Sequence, residues 1–363
     1  MARPMTSDHP TYAEAADILR AIAFGAMAPG TRLPTPVLSA VLRLSAAESS
    51  IGLVVKAVDD GIVVVDEDQR RLIDDWHRPA MIHCLNVERA ALRVCAALTE
   101  AGVRSLLLKG VALAHLIYAD PMHRSFNDVD LLIHPDDVVE ALEVVTRLGA
   151  TRHLPERRPG FDLRFAKDIT FVLDGVGVDL HRTLIDPPYG DRLNLDELFG
   201  RSRAVRVGGH DLECPDANDL YIHAALTAGA GDRSPRAITL RDIRQLSSTA
   251  HVDPSVIIQR VQRCGLDAAV ARGIIRSNPA NAVDDLAAWA TSVHPRGWER
   301  IVLASYSAAG AAPRRLIAMA EMRSWQQRAA FARSLVAPSP AYRNALGATR
   351  RAYLARWRGM RPR

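Results

Sequence analysis

Hydrophobic positions recur with a helical period through the first part of the chain. A breaker cluster at residues 29–34 interrupts this pattern, and Ser45 is placed to cap the third helix. An Asp-Asp-Gly turn then leads into a short β-like run, Ile62–Val65. The predicted helices cover residues 12–26, 36–44 and 46–58. Three helices followed by a strand pair is the order of a winged helix.

The middle of the chain mixes helical and strand periods after a long amphipathic helix predicted at residues 79–101. Asp174-Gly175 lies between two apolar runs and is the strongest hairpin signal in the chain, and Gly208-Gly209 marks a second hairpin. Strands are predicted at residues 103–108, 128–133, 169–173, 176–181, 204–207 and 211–214, and helices at 111–118 and 135–149. This section therefore has α/β character.

Beyond Pro215 the period is helical to the C-terminus. The length of 363 residues suits two or three domains. We predict a winged-helix-like unit over residues 1–78, a core over 79–214 and a helical domain over 215–363. The expected fold class is α+β.

Composition excludes several classes of protein. Hydrophobic residues make up 48% and charged residues 24% of the chain, which argues against disordered and fibrous proteins. The sequence has neither a long uncharged apolar stretch nor the apolar region of a signal peptide, so we expect a cytoplasmic protein that does not enter a membrane. The cysteines are too widely spaced for a zinc site and are expected to be reduced core residues: Cys84, Cys95, Cys214 and Cys264.

Positive charge is unevenly distributed. The net charge is +5, yet ten arginines and no acidic residue follow Glu321. This tail carries an apolar stripe with basic neighbours, which predicts either a final packed helix or a surface for a polyanion such as RNA, or for an acidic protein. The stripe is Tyr342, Leu346, Tyr353 and Trp357, and its neighbours are Arg343, Arg350, Arg351 and Arg358.

The sequence of the N-terminal unit resembles the DNA-binding unit of GntR regulators, above all in Pro-Gly-Thr-Arg-Leu-Pro at residues 29–34. Electrostatics disagree with DNA binding, because residues 1–75 carry seven basic and eleven acidic side chains. The helix that would read DNA offers Lys56 alone, opposed by Glu48 and Asp59. We therefore expect no DNA binding, and instead a peptide or protein partner, or packing against the core.

Two carboxylates, Asp128 and Asp130, project from the same side of a predicted strand. Carboxylates this close repel each other unless a cation compensates, and partly hydrated carboxylate pairs suit Mg²⁺. Asp179 follows 49 residues after Asp130, on a strand that can lie beside the first. It would complete a triad able to hold two ions.

The order and spacing of four motifs resemble the uncharacterised nucleotidyltransferases of the polymerase-β-like superfamily. The motifs are Lys109-Gly110-Val111-Ala112-Leu113, Tyr118-Ala119-Asp120-Pro121-Met122-His123-Arg124, Asp128-Val129-Asp130-Leu131-Leu132 and Val178-Asp179-Leu180-His181. The resemblance implies a mixed sheet on which Asp128 and Asp130 bind Mg²⁺ or Mn²⁺ and Asp179 also faces the attacking hydroxyl. It implies a nucleoside triphosphate, expected to be ATP, as co-substrate.

Four further residues are candidates for binding the nucleotide. Lys109 and Gly110 precede a helix whose N-terminus suits a phosphate, and Arg124 contacts phosphate or pairs with Asp128. Val111 stands where the superfamily has a second glycine or a serine, so a hydroxyl donor is missing and Lys109 is expected to supply charge instead. His181 either touches substrate or is held by a backbone hydrogen bond.

Two further candidates lie in the C-terminal unit, His223 and Asp242. We expect them to have structural hydrogen-bonding roles rather than nucleotide contacts. The predicted function is Mg²⁺-dependent transfer of a nucleoside monophosphate to a hydroxyl of a small molecule, a peptide or protein, or RNA. The alternative is a non-catalytic regulator or scaffold that senses a nucleotide.

Overall fold

Three helices begin the part of the chain that the computed structural model describes, which comprises residues 10–231, 234–249, 251–277, 284–308 and 312–347. They are α1 (Pro10–Phe24), α2 (Thr35–Ala47) and α3 (Ile51–Asp59). Ser45 does not cap the third helix as predicted, because its hydroxyl donates to the Leu42 carbonyl at 2.9 Å inside α2. The chain turns instead at Ser49, which has a left-handed φ of 55°, and α3 begins after Ser50.

The β-like run at residues 62–65 forms only an isolated parallel bridge between Thr31 and Val63. Within residues 10–66 the structure has no antiparallel strand pair of the kind that makes a wing. The winged-helix assignment therefore stays a prediction.

Helix α4 (Glu67–Glu100) begins twelve residues before the predicted start at Pro79, which lies inside it. A capping box fixes the true start: the Gln69 backbone N–H donates to Asp66 Oδ1 at 2.8 Å, and the Asp66 N–H donates to Gln69 Oε1 at 3.3 Å. The prediction was wrong because it placed the proline at the first helical position. The helix also runs across the predicted boundary between residues 78 and 79, and the division into three units stays a prediction.

The middle section builds a five-stranded mixed sheet in the order β1-β2-β5-β4-β3 and a separate hairpin of β6 and β7. The β2 and β5 strands are parallel, and the other neighbours are antiparallel. The strands are β1 (Ser105–Leu107), β2 (Asp128–Ile133), β3 (Thr151–Arg152), β4 (Asp168–Leu173), β5 (Val176–His181), β6 (Arg203–Val207) and β7 (His210–Cys214). The helices between them are α5 (Lys109–Ile117), α6 (Val138–Arg147), α7 (Phe161–Phe165) and α8 (Leu195–Phe199).

The hairpin predicted at Asp174-Gly175 is confirmed. Their φ values are 50° and 81°, and a tight two-residue hairpin turn of the primed type needs a positive φ at both positions. This turn fixes the register of β4 against β5, with Thr170 opposite Asp179.

One face of the sheet is apolar and the other carries the candidate chemistry. Val129, Leu131 and Ile133 of β2 are buried in one core cluster with side chains of α4 and α6, as predicted from the alternation along the strand. Asp128 and Asp130 therefore project from the opposite face.

The C-terminal section is helical, as predicted, and within the described residues every helix is too short or too polar to cross a lipid bilayer. Its helices are α9 (Ala217–Leu226), α10 (Ala237–Thr249), α11 (Pro254–Arg263), α12 (Asp267–Arg276), α13 (Asp284–Ser292), α14 (Gly297–Ser307), α15 (Ala312–Glu321), α16 (Trp325–Val336) and α17 (Pro340–Ala345). In the tail, Tyr342 is buried beneath Arg157, whose guanidinium carbon lies 4.6 Å from the ring centroid. Of the other tail residues that we named, Arg343 and Leu346 lie at α17, and Arg350, Arg351, Tyr353, Trp357 and Arg358 lie outside the described residues.

The N-terminal helices share one hydrophobic core with the C-terminal helices. Leu19 of α1 and Leu42 of α2 belong to the same buried cluster as Tyr221 of α9, Ile243 of α10 and Val270 of α12. Burial of these side chains therefore depends on both ends of the described chain.

Helix α3, which would read DNA in a winged helix, packs against the loop before β2. A Cβ built on Gly52 would lie 2.5 Å from the His123 carbonyl carbon, and the Gly52 N–H donates to Ser125 Oγ at 3.3 Å. Asn127 Nδ2 donates to Ser49 Oγ at 2.7 Å. The predicted packing of this unit against the core is confirmed, and the absence of DNA binding stays a prediction.

The four cysteines are free, and three of them are buried as expected. Burial raises the pKa of Cys95 to about 12 and that of Cys214 to about 12, so these thiols stay protonated at neutral pH.

Gly52→Ala tests the contact between α3 and the loop. The new methyl group meets backbone atoms of His123, so we expect the free energy of unfolding to fall by about 1–3 kcal/mol in urea denaturation. Gly200→Ala is the control, because Gly200 has φ −65° and its nearest neighbouring atom is 3.3 Å from the added Cβ. An equal effect of both substitutions would contradict the close approach.

Candidate active site

The parallel pairing of β2 with β5 brings the predicted carboxylates together. Asp130 lies directly opposite Asp179, and Asp128 lies opposite Gly177. Paired residues of neighbouring strands project from the same face, so all three carboxylates share one side of the sheet. His181, two residues after Asp179, joins them from the same strand.

Three of these side chains are close enough to share one ion. One ligand atom from each of Asp130, Asp179 and His181 lies within 4.8 Å of the other two. Asp128 is outside this group because it lies one strand repeat away from Asp130. The structure thus brings His181 to the predicted carboxylates more closely than Asp128.

Asp130 is held between Lys109 and His181. Lys109 Nζ lies 2.9 Å and His181 Nε2 lies 2.6 Å from the same oxygen, Oδ1. Burial alone would raise the pKa of Asp130, but the Lys109 ammonium and the His181 ring together hold it well below its usual value. Asp130 is therefore ionised.

His181 is fully buried, and both of its ring nitrogens face acceptors. Nδ1 lies 3.3 Å from the Thr183 carbonyl oxygen, which only accepts, and Nε2 faces the ionised Asp130. The predicted backbone partner of His181 is therefore present, and a contact of the ring with substrate stays a prediction.

Asp179 has a buried oxygen that calls for a further partner. Its Oδ1 is buried and makes no hydrogen bond to any residue that the structure describes. A buried carboxylate oxygen without a donor is costly unless a cation or water satisfies it. Oxygen donors from Asp179 and Asp130 are the ligands that Mg²⁺ prefers, so the residues present fit a divalent metal ion.

Asp128 lies at the edge of the carboxylate group. Burial, followed by the charges of Asp130 and Asp179, raises the pKa of Asp128 to about 6. Lys109 and Arg236 oppose this rise but do not cancel it. At Asp128, burial and the two neighbouring carboxylates therefore outweigh the nearby cations.

Lys109 reaches Asp130 from a constrained backbone. Its φ is +38°, in the left-handed region that non-glycine residues rarely adopt, and it is the first residue of α5. A Cβ on Gly110 would lie 2.8 Å from the Phe126 Cβ, so only glycine fits beside this loop. No side chain caps α5, which leaves its first backbone N–H groups available to a phosphate.

Arg124 pairs with Asp242 rather than with Asp128. Nε and Nη2 donate to the two carboxylate oxygens at 2.9 and 2.6 Å, and Tyr118 donates to the same carboxylate at 2.8 Å. Burial disfavours the charge, but the Asp242 carboxylate raises the pKa of Arg124 above its ordinary value. The structural role predicted for Asp242 is confirmed, and a phosphate contact of Arg124 stays a prediction.

His223 faces a small cavity beside Lys109. The ring is buried, its Nε2 has no hydrogen-bond partner among the described residues, and burial followed by the nearby Lys109 and His181 holds its pKa well below the ordinary value. The cavity, of about 40 Å³, is also lined by Arg236 of the segment before α10. Sequence reasoning missed Arg236 because no motif surrounds it.

Asp128→Asn tests the crowding of carboxylates in metal-free buffer. Because the pKa of Asp128 lies above its ordinary 3.8, the folded state holds this proton more tightly and loses stability as pH rises from about 4 to about 6. The substitution should raise the free energy of unfolding at pH 7 by on the order of 1–3 kcal/mol, and the melting temperature should rise with it. This gain should disappear near pH 4. Asp211→Asn, on the exposed β6–β7 hairpin, is the control. A lower melting temperature of the Asp128→Asn variant at pH 7 would contradict the crowding.

Comparison with known proteins places this arrangement in a family. Residues 38–278 match the family described as uncharacterised nucleotidyltransferase. The antibiotic-resistance factor ANT(2'')-Ia is similar over 53% of this chain and 92% of its own, with 15% identity and a TM-score of 0.33. An antigenic nucleotidyltransferase-like protein from Paracoccidioides brasiliensis is similar over 58% of this chain and 92% of its own, with 16% identity and a TM-score of 0.35.

No curated protein matches the chain. The family match covers more than half of the sequence and confirms the resemblance carried by the four motifs. The chain therefore belongs to the family of uncharacterised nucleotidyltransferases and has the enzyme class of a nucleotidyltransferase.

Proposed function

We propose that this protein is a Mg²⁺-dependent enzyme that moves a nucleoside monophosphate from a nucleoside triphosphate, ATP in the first instance, to a hydroxyl-bearing acceptor. The observation that carries the proposal is the buried Asp179 oxygen without a hydrogen-bond donor, within 4.8 Å of ligand atoms of Asp130 and His181. The free, buried cysteines fit a reaction in the reducing cytoplasm.

Asp128, Asp130 and Asp179 would hold Mg²⁺, or Mn²⁺ in its place. A divalent ion held there would neutralise the triphosphate and lower the pKa of the attacking oxygen. Lys109 and His181 both contact Oδ1 of Asp130, so an ion would use the other carboxylate oxygen or take the place of one of these contacts. A Lys109 ammonium released in this way would be available for the phosphates.

The phosphates would bind at the start of α5. The hydroxyl donor that the superfamily usually has is missing here. The uncapped backbone N–H groups of α5 and the Lys109 ammonium would donate hydrogen bonds in its place. Lysine suits this role because its ammonium is a compact charge with three donors.

The transfer itself needs one proton acceptor. The acceptor oxygen attacks the α-phosphorus, the bond from that phosphorus to the bridging oxygen breaks, and pyrophosphate leaves with the bonding electrons. Asp179 would take the hydroxyl proton, because its Oδ1 has no hydrogen-bond donor among the described residues.

The ion pair between Lys109 and Asp130 favours a second candidate function, a nucleotide sensor without catalysis. In that case the site binds a triphosphate through Lys109, and Asp130 keeps its contacts with Lys109 and His181. The two functions differ in one result, because only the enzyme transfers label from the α-phosphate.

Asp179→Asn tests the transferase function. With α-labelled ATP and Mg²⁺ or Mn²⁺, pyrophosphate release and label transfer to fractionated lysate should fall at least about 100-fold, because the proton acceptor is lost. Asp211→Asn, an exposed member of a surface ion pair with Arg206, should retain full activity. Wild-type protein that binds ATP and transfers no label would support the sensor instead.

Lys109→Arg separates a point charge from a planar one. The guanidinium is larger and fixed in geometry, so we expect a raised KM for ATP with little change in the melting temperature. An unchanged KM would give Lys109 a purely structural role at Asp130.

A further inference from the structure

A buried histidine with an unpaired nitrogen lines a cavity at the start of α5. His223 is 2% exposed, and its Nε2 has no hydrogen-bond partner among the residues that the structure describes. Burying a polar atom without a partner costs free energy, and few such atoms occur in folded proteins. A structural hydrogen-bonding role was expected for His223 from the sequence, but Nε2 makes no such bond here. This atom therefore calls for a partner that the described residues do not supply.

The cavity lies between α5 and the C-terminal helices. Lys109 lines it from the first turn of α5, and His223 of α9 and the following Thr227 line it from the other side. Arg236 also lines the cavity, and its charge lowers the pKa of Asp128 against the larger effects that raise it. The cavity therefore adjoins Lys109 and lies within electrostatic reach of the carboxylates.

The backbone that holds His223 departs from a regular helix. A π-helical turn, Thr227–Gly231, follows α9 directly, and such turns are rare and frequent at functional sites. The Thr227 hydroxyl donates to the His223 carbonyl oxygen at 2.9 Å. A Cβ built on Gly229 would lie 1.8 Å from the carbonyl oxygen of Ala269 in α12. The turn therefore packs closely against α12 and fixes His223 at the cavity.

The size of the cavity limits the group that can enter it. Its volume of about 40 Å³ holds about three water molecules, since one water needs about 10–15 Å³. That space is too small for a purine ring system. A phosphoryl group, with three terminal oxygens around one phosphorus, is of the right size.

The donors around the cavity suit an anion. No side chain caps α5, so its first backbone N–H groups are available to a phosphate beside the Lys109 ammonium. Burial, followed by the nearby Lys109, holds the pKa of His223 well below its ordinary value, so the ring is neutral. A neutral imidazole carries one N–H, and with the proton on Nε2 it donates to a phosphate oxygen.

From these contacts we infer that the cavity receives the terminal phosphate of the nucleoside triphosphate, and that His223 Nε2 donates a hydrogen bond to it. The inference rests on the proposed function, which brings the phosphates to the start of α5. During transfer, negative charge grows on the pyrophosphate as the bond from the α-phosphorus to the bridging oxygen breaks. A neutral N–H stabilises that charge without the desolvation cost of another buried cation.

Calorimetry on the full chain with Mg²⁺ tests this with three ligands: α,β-methylene ATP, inorganic pyrophosphate and AMP. His223→Phe keeps an aromatic ring and removes both nitrogens. We expect it to raise the Kd of the ATP analogue and of pyrophosphate at least about tenfold, and to change the Kd of AMP less than about twofold. His223→Gln keeps an N–H donor and should bind the ATP analogue within about threefold of the wild-type protein.

His210→Phe is the matched control, because His210 is exposed at the start of β7. It should change none of these Kd values. In ligand-free buffer the melting temperature of His223→Phe should equal or exceed that of the wild-type protein, because Nε2 has no described partner to lose.

Nuclear magnetic resonance of wild-type protein labelled with ¹⁵N-histidine gives a second test that does not depend on how His223→Phe folds. The Nε2 resonance of His223 is identified by its absence in His223→Gln. We expect this resonance to shift when the ATP analogue or pyrophosphate is added with Mg²⁺, and to stay in place with AMP.

Four results would overturn the inference while the proposed function stands. These are an unchanged Kd of the ATP analogue in His223→Phe, an equal loss of affinity for AMP, no gain of His223→Gln over His223→Phe, or an Nε2 resonance that the ATP analogue does not move. Failure of the wild-type protein to bind the ATP analogue with Mg²⁺ would instead overturn the proposed function.

Discussion

Repulsion among three carboxylates on two adjacent strands is the constraint on which this site depends. The parallel register of β2 and β5 brings Asp130 and Asp179 face to face, with Asp128 one repeat away, and the surroundings are too buried for water to screen them fully. The Lys109 ammonium offsets part of this charge, and His181 contacts the same oxygen of Asp130. The left-handed backbone of Lys109 is tolerated because it delivers the ammonium to that oxygen.

The loop that leads into β2 is held from three directions, and this makes the carboxylate strand rigid at its start. Arg124 pairs with Asp242 of the C-terminal helices, Ser125 accepts from the N-terminal helix α3, and Asn127 donates to Ser49. A buried ion pair such as Arg124–Asp242 costs desolvation and adds little net stability. What it does provide is a fixed position for the residues that precede Asp128, at the junction of all three sections of the chain.

Local sequence patterns predicted the local structure well, but they did not predict the long-range contacts. The bounds of β2 and β5, the Asp174-Gly175 turn and the shared face of the carboxylates follow from strand alternation and turn chemistry. The pairing of Arg124 with Asp242 spans 118 residues and leaves no sequence signal. The start of α4 was predicted wrongly at Pro79, because proline is common in the first turn of a helix. The sequence contained the correct signal upstream, the capping box of Asp66 and Gln69.

The core shared by the first and last helices also determines when the chain can fold. Leu19 and Leu42 leave the ribosome early, but Tyr221, Ile243 and Val270, against which they are buried, follow about 200 residues later, roughly 10–40 s at ordinary elongation rates. Through that interval the N-terminal helices can pack on one another and on α4, but they lack the C-terminal helices that complete their core. Contacts of such long sequence separation slow folding and expose apolar surface, so the nascent chain is a natural client for chaperones. The active-site strand, held by both sections, is completed only after synthesis has passed α12.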